Sequence, residues 1–175
     1  PLSSILLSQL LAESQLFPDG VISILNGHGH IAGAALAAHD DVDKITFTGS
    51  TEVGKKLVVA SAHNLKRVTL ELGGKSPLFI FDDAPLEHAI QGAAMAIFAN
   101  SGQVCFAGSR LYIQRGIYDA VIEGVAKIGD VMKLGNGRDP STQLGPLVSQ
   151  EQLDRVLKYI EYGISDGAEL ISGGM

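Results

Sequence analysis

Three short stretches of the sequence carry side chains that could do covalent or ionic chemistry. "NSGQVCFAGSR", residues 100 to 110, holds Cys105, the only cysteine in the chain. A thiolate is a strong nucleophile where backbone donors stabilise its charge, and Gly102, Gln103 and Gly108 keep the backbone around it open. A lone cysteine also serves as a small buried hydrophobe, but Cys105 follows an alanine-rich helical run without joining its apolar stripe. "RVTLEL", residues 67 to 72, contains Glu71, a carboxylate that interrupts an apolar series where the chain leaves a strand. Open α/β sheets gather ligands at the carboxyl ends of their strands, so Glu71 is either a chemical group there or a rim carboxylate paired with a cation such as Lys75. "FTGSTEVG", residues 47 to 54, passes from a strand through Gly49 into a helix that Ser50 or Thr51 can cap. A helix start of this kind offers backbone N–H groups and the positive end of the macrodipole to an anion such as pyrophosphate. Its G-x-x-x-x-G spacing is neither a dinucleotide fingerprint nor a P-loop, and ordinary turn chemistry accounts for it too.

A second glycine-rich turn, "NGHGHIAG", sets Gly29 and Gly33 one helical turn apart, a smooth face for a flat ring or for another helix. The histidines, at 28, 30, 39, 63 and 88, read as loop or surface residues. No Cys/His cluster has metal-ligand spacing, so no metal is expected.

The elements that position these residues follow from apolar periodicity. Residues 4 to 16 suit a helix, and "VISIL" (21–25) a short strand after the turn "FPDG". "NGHGHIAGAALAAH" is a turn entering a small-residue helix. "KITFTGS" is a strand, "TEVGKKLVVASAH" a helix with Val53, Leu57 and Val58 on one side, and "RVTLEL" a strand ended by Gly73 and Gly74. Strand and helix in alternation predict a parallel sheet covered by helices, a Rossmann-type α/β arrangement. The pattern then restarts. "PLFIF" is a continuous apolar strand expected to be buried on both faces. A helix follows, with Asp83 placed to cap it, Pro85 in its first turn and Leu86, Ile90, Ala94, Ile97 and Phe98 along one stripe. "RLYIQ" is a strand, residues 117 to 132 a helix, and "LGNGRDPSTQLGP" a loop. Ser149 opens another helix, and "AELIS" (168–172) is a strand. The glycines of "LGGKSP" mark the best boundary, dividing the chain into 1–72 and 73–175.

Composition narrows the function classes. Hydrophobic residues make up 46% of the 175 and charged residues 18%, so a core can form and disorder is excluded. A net charge of −6, with thirteen basic residues in no cluster, argues against nucleic acid. One cysteine allows no internal disulfide, and no apolar run reaches the length of a membrane span, so a cytoplasmic protein is expected.

Taken together, "FTGSTEVGK", "VTLELGGKSP", "NSGQVCFAGSRLYI" and "LGNGRDPSTQLGPLVS" resemble, in order and separation, the NAD(P)-dependent aldehyde dehydrogenase superfamily. The resemblance runs essentially end to end. It implies that Cys105 attacks an aldehyde and that Glu71 activates the water that hydrolyses the resulting thioester. It also implies NAD, with NADP as the alternative, held with Gly29 and Gly33 near the adenosine, Phe47, Gly49, Ser50 and Val53 around the adenine and pyrophosphate, and Leu72 beside the nicotinamide. By the same resemblance residues 1–72 are the C-terminal half of a dinucleotide-binding domain and 73–175 the first part of a catalytic α/β domain. The family's remaining cofactor, oxyanion and oligomerisation segments lie outside the 175 residues, so the chain reads as an excerpt that does not turn over alone. The whole protein is expected to be a homodimer or homotetramer acting on a small aldehyde. A CoA-acylating relative and a non-catalytic nucleotide-binding protein are the alternatives. Glu71 speaks against the first, and Glu71 with Cys105 against the second. Val104 and Phe106 beside the nucleophile suggest an apolar throat for aromatic or medium-chain aldehydes.

Overall fold

The computed structural model describes residues 1–174. The chain divides into two compact units, Pro1–Leu72 and Gly73–Met175.

The first unit opens with helix α1, Leu2–Ser14, closed by a left-handed Gln15 (φ 51°) whose N–H donates to the Ala12 carbonyl. Residues 21–25, expected as a strand, are irregular. Their β-branched residues favour extended backbone, but a strand exists only where a neighbour completes its hydrogen bonds, and no described strand pairs with them. A π-helical turn, Gly29–Gly33, runs into the short helix α2, Ala34–Ala38. Strand β1 (Lys44–Gly49), helix α3 (Thr51–Ser61) and strand β2 (Arg67–Leu72) then form one β-α-β unit. Its strands are parallel, in register from Lys44 opposite Arg67 to Gly49 opposite Leu72.

Along β1 and β2 half-buried Ile45, Phe47, Val68, Leu70 and Leu72 alternate with exposed neighbours, the period-2 pattern of a sheet packed on one face. Helix α3 sits close to that face because Gly54 has no side chain. A Cβ there would lie 2.9 Å from Leu72 Cδ2 and 3.5 Å from Leu70 Cδ1. The second glycine of "FTGSTEVG" is thus a packing residue. Lys66 is buried, at 6% exposure. Its ammonium donates to the carbonyls of Ala37 and His39, each at 2.7 Å, which closes the end of α2. Beside it Asn64 Nδ2 donates to the carbonyls of Asp40 (2.7 Å) and Val42 (3.3 Å). The loop before β2 therefore grips the end of α2 and the loop before β1 by four carbonyls.

The second unit repeats the β-α-β scheme. Strands β3 (Pro77–Ile80) and β4 (Arg110–Ile113) are parallel neighbours, and helix α4 (Leu86–Phe98) lies between them in sequence. Helices α5 (Tyr118–Val131) and α6 (Gln150–Ser165) follow. The core gathers on Val121, fully buried against Ile80 and Ala93, with Ile90, Leu111, Ile113 and Val125 packed around it. Burying such a valine contributes about 1.5–3 kcal/mol.

Three expectations need correction in this unit. Strand β3 is not buried on both faces: Phe79 is 60% exposed and stacks on Tyr112 of β4, with ring centroids 5.0 Å apart. A continuous apolar run hides its alternation, because both faces carry hydrophobic side chains. Asp83 does not cap α4, since the helix starts after Pro85 with no side-chain cap. The turn that closes with the Ala84 N–H on the Phe81 carbonyl leaves Asp83 short of the first helical N–H groups. Residues 168–172 are irregular, for the reason given for 21–25. Ser149 does cap α6, accepting from the Gln152 N–H at 3.2 Å.

Candidate active site

The parallel register brings several of the sequence-selected residues to one end of the first sheet. Thr48 lies opposite Glu71 and Gly49 opposite Leu72, at the carboxyl ends of both strands. Helix α3 begins two residues beyond Gly49, capped by Ser50, whose Oγ accepts from the Val53 N–H at 3.3 Å. Phe47, Gly49, Ser50, Val53, Glu71 and Leu72 therefore share one rim, toward which the positive end of the α3 macrodipole points. Glu71 is exposed, and no ion pair involves it among the described residues. The Lys75 ammonium, its candidate partner from the sequence, donates instead to the Gly74 carbonyl at 3.3 Å.

Gly49 is constrained by its own neighbour. A Cβ built on it would run into the Phe47 ring, with Cζ the nearest atom and Cε1 at 2.9 Å. The aromatic ring folds over the turn, and only glycine fits beneath it. Gly29 and Gly33 differ from this. A Cβ on either would meet nothing within 4 Å, so their face is open. They sit on the π-helical turn that leads into α2, which packs against α3.

Cys105 belongs to the second unit, where its thiol is free and exposed. Helix α4 ends in an unusual stretch. Asn100 (φ 52°, ψ 34°), Ser101 (φ 56°, ψ 34°) and Gly102 (φ 72°) are three consecutive left-handed residues. Two of them are not glycine, and each such residue costs about 1–3 kcal/mol unless its surroundings hold it. The holding contacts are visible. Asn100 Nδ2 donates to the Gln103 carbonyl at 3.1 Å, and Gln103 N–H and Nε2 donate back to the Asn100 carbonyl at 3.1 and 3.3 Å. Ser101 Oγ donates to the Gly145 carbonyl at 2.9 Å, and Gln103 Oε1 accepts the Val148 N–H at 2.8 Å. A Cβ on Gly102 would approach the Ile97 carbonyl oxygen to 3.2 Å. Beyond the turn, the Cys105 carbonyl accepts from the Gly74 N–H at 3.1 Å, and the Gly108 N–H reaches the Ala96 carbonyl at 2.9 Å. Cys105 thus lies between the left-handed turn that ends α4 and Gly108, whose N–H bonds back to α4, with half-buried Val104 before it and exposed Phe106 after it.

The sequence missed Asn100, Ser101 and Lys66 as determinants of local geometry. Asn-Ser-Gly at a helix end is a recognisable signal for left-handed backbone. Lys66 has no local signature, since its carbonyl partners lie 27 and 29 residues away. Among the described residues no group of three or more His, Cys, Asp or Glu could hold a metal ion. No helix among them is long and apolar enough to cross a membrane.

Known proteins resemble this chain in sequence and in fold. The chain is 46% identical over 174 residues to aldehyde dehydrogenase family 2 member C4 of Arabidopsis thaliana, and 47% identical over 174 residues to a phenylacetaldehyde dehydrogenase of Pseudomonas fluorescens. Each alignment takes in 99% of this chain and 34% of the relative. Among solved structures, an aldehyde dehydrogenase of Bacillus cereus determined as its NAD+ complex superposes with a TM-score of 0.96 at 48% identity, covering 99% of this chain and 35% of that one. The 175 residues thus span about a third of the length of the curated relatives they match. The model of the aldehyde dehydrogenase family matches residues 1–175, and the chain belongs to that family.

Proposed function

We propose that this chain supplies the nucleophile, the general base and part of the cofactor site of an NAD-dependent aldehyde dehydrogenase that converts aldehydes to carboxylic acids. The observation that carries this reading is the exposed, unpaired Cys105 thiol, held on a backbone-braced left-handed turn in a chain that matches the family over its whole length. Residues 1–72 act as the C-terminal half of the dinucleotide-binding domain and the residues from 73 onward as the first part of the catalytic domain.

The residues present suit a dinucleotide. The open face at Gly29 and Gly33 leaves room for a flat adenosine, and the capped start of α3 beside Phe47, Gly49, Ser50 and Val53 offers a positive dipole to a pyrophosphate. Leu72, at the strand end, supplies an apolar surface for the nicotinamide. When bound, NAD, or NADP in its place, supplies the hydride acceptor that makes the reaction an oxidation. Relatives solved with NAD support the first choice.

Cys105 attacks the aldehyde carbon as thiolate, forming a C–S bond, and its own backbone N–H donates to the oxyanion that develops. After oxidation the acyl group remains on Cys105 as a thioester. Glu71 takes a proton from water, the hydroxyl attacks the thioester carbonyl, and the acid leaves as the thiolate is restored. A base at this position favours hydrolysis over transfer to a thiol acceptor such as CoA. Val104 and Phe106 beside the nucleophile support an apolar substrate, aromatic or of medium chain length. We place the whole protein in the cytoplasm as a homodimer or homotetramer. The exposed apolar side chains support the association.

The test is made on a full-length protein that contains this segment. Reduced cofactor is followed by absorbance with a panel of aldehydes, and the product is analysed as free acid or acyl-CoA. NAD reduction with release of free acid, abolished in Cys105→Ala, is the expected result. No reduction with any aldehyde, or turnover that survives Cys105→Ala, would overturn the reading.

A further inference from the structure

Resting on the reading of Cys105 as nucleophile, we propose that Gln103 is the positioning residue that fixes where its thiol is presented. The Gln103 carboxamide faces two ways. Its Nε2 donates to the Asn100 carbonyl at 3.3 Å, inside the turn, and its Oε1 accepts the Val148 N–H at 2.8 Å, outside it. Val148 directly precedes Ser149, the residue that caps α6. One side chain therefore joins the left-handed turn before Cys105 to the start of a sixteen-residue helix 45 residues further along the chain. Ser101 makes a second tie to the same segment through the Gly145 carbonyl.

These ties matter because the turn's own hydrogen bonds join only Asn100 and Gln103 and anchor it to no other element. Asn100 and Ser101 occupy the left-handed region, which non-glycine residues leave readily when nothing opposes it. A change of φ at residues four and five positions before the thiol swings the backbone that carries it. The cysteine's remaining braces, from the Gly74 N–H to its carbonyl and from the Gly108 N–H to the Ala96 carbonyl, lie at or after residue 105 and leave the Asn100–Gln103 turn free to swing as a unit. Gln103 is placed to stop that rotation. Its role needs both an acceptor toward Val148 and a side chain long enough to reach it.

The experiment uses the full-length protein and three forms: the parent, Gln103→Met, which keeps length and removes both bonds, and Gln103→Glu, which keeps the acceptor for the Val148 N–H. Cys105 is labelled with a trifluoromethyl ketone reagent, and its ¹⁹F resonance is assigned by its loss in Cys105→Ala. In parallel, unlabelled enzyme is mixed with aldehyde and NAD, and the first-turnover rate of cofactor reduction is measured together with the KM for NAD. The parent should give one sharp line. Gln103→Met should give a broadened or split line and a first-turnover rate lower by about tenfold, about 1.4 kcal/mol of barrier, with the KM for NAD within about twofold. Gln103→Glu should restore the single line and most of the rate. A single sharp line in Gln103→Met, or a Gln103→Glu form as impaired as Gln103→Met, would overturn the proposal. So would a rise in the KM for NAD that matches the loss of rate, since that is the mark of general disorder. A split line with an unchanged first-turnover rate would leave Gln103 as the positioner of the thiol and refute instead the role of Cys105 as nucleophile. Where Gln103→Met fails to fold, Ser101→Ala cuts the parallel tie and must broaden the same resonance.

Discussion

A nucleophile and a base that act in sequence on one acyl group leave different traces when removed. In the full-length protein Cys105→Ala should end turnover, because it removes the side chain proposed to carry the acyl intermediate. Glu71→Gln should slow hydrolysis of that intermediate more than its formation, so an acyl adduct on Cys105 accumulates and is seen by mass spectrometry of the intact protein. A Glu71→Gln form with normal rate and no adduct would remove Glu71 from the chemistry. Gly49 calls for a different experiment, because its constraint is internal. A Cβ there meets the Phe47 ring first, so Gly49→Ala should displace the ring and raise the KM for the cofactor, while Gly49→Ala combined with Phe47→Leu should recover part of the loss. Strict additivity of the two changes in a double-mutant cycle would show that ring and turn are not coupled. Cys105 and Glu71 stand out in the sequence as reactive side chains that break an apolar pattern, while the roles proposed for them rest on the family resemblance. The left-handed turn at Asn100 and Ser101 carries a local signal in Asn-Ser-Gly, but its ties to Gly145 and Val148, more than forty residues away, have none.

At the scale of elements, the stretches that contain their own explanation were read correctly. Lys44–Gly49, Thr51–Ser61 and Arg67–Leu72 follow from period-2 and period-3.6 patterns with a serine cap between them. Residues 21–25 and 168–172 carry the same strand-like composition, yet strand pairing is a property of two segments, and neither has a partner among the described residues. The loop clamp before β2 is likewise non-local. Lys66→Met should leave the Ala37 and His39 carbonyls without their donor, one of them in a buried setting. We expect a loss of about 2–3 kcal/mol in urea unfolding of the full-length protein, and faster amide exchange at the end of α2. A loss below about 0.5 kcal/mol would mean that water replaces the ammonium. Loop 133–144 has an acid sensitivity of defined sign. The hydroxyl and N–H of Ser141, with Lys133 nearby, hold the Asp139 carboxyl below its ordinary value. Its contribution to loop order is therefore complete above the unfolded carboxylate value and is lost as pH falls through the lowered folded one. Amide exchange at Ser141 and Thr142 should rise on acidification in that window, and Asp139→Asn should flatten the response.

For the molecule as a whole, the decisive quantity is how much surface the 175 residues leave in water. Their accessible area is 13491 Å², whereas a folded monomer of 18.4 kDa exposes about 8,200 Å². Counting the two units as separate domains raises that expectation only to about 9,800 Å². Leu2, Leu16, Leu25, Phe79, Phe106, Val131 and Val148 are among the exposed large hydrophobic side chains. Large apolar side chains left in water favour association, and the edges of two-stranded parallel sheets add unpaired backbone groups that template further pairing. A net charge of −6 opposes aggregation only weakly over distances beyond about 10 Å at ordinary salt. The 175-residue chain produced alone should therefore associate at micromolar concentration, bind a hydrophobic dye, and give no sustained reduction of NAD with any aldehyde. A full-length protein that contains the segment should do none of the first two and should turn over. Sedimentation velocity and a cofactor-reduction assay on both proteins, side by side, decide the matter. A monodisperse 175-residue monomer that reduces NAD at the full-length rate would show that a third of the relatives' length suffices for catalysis, and that the exposed hydrophobic faces have no structural partner to wait for.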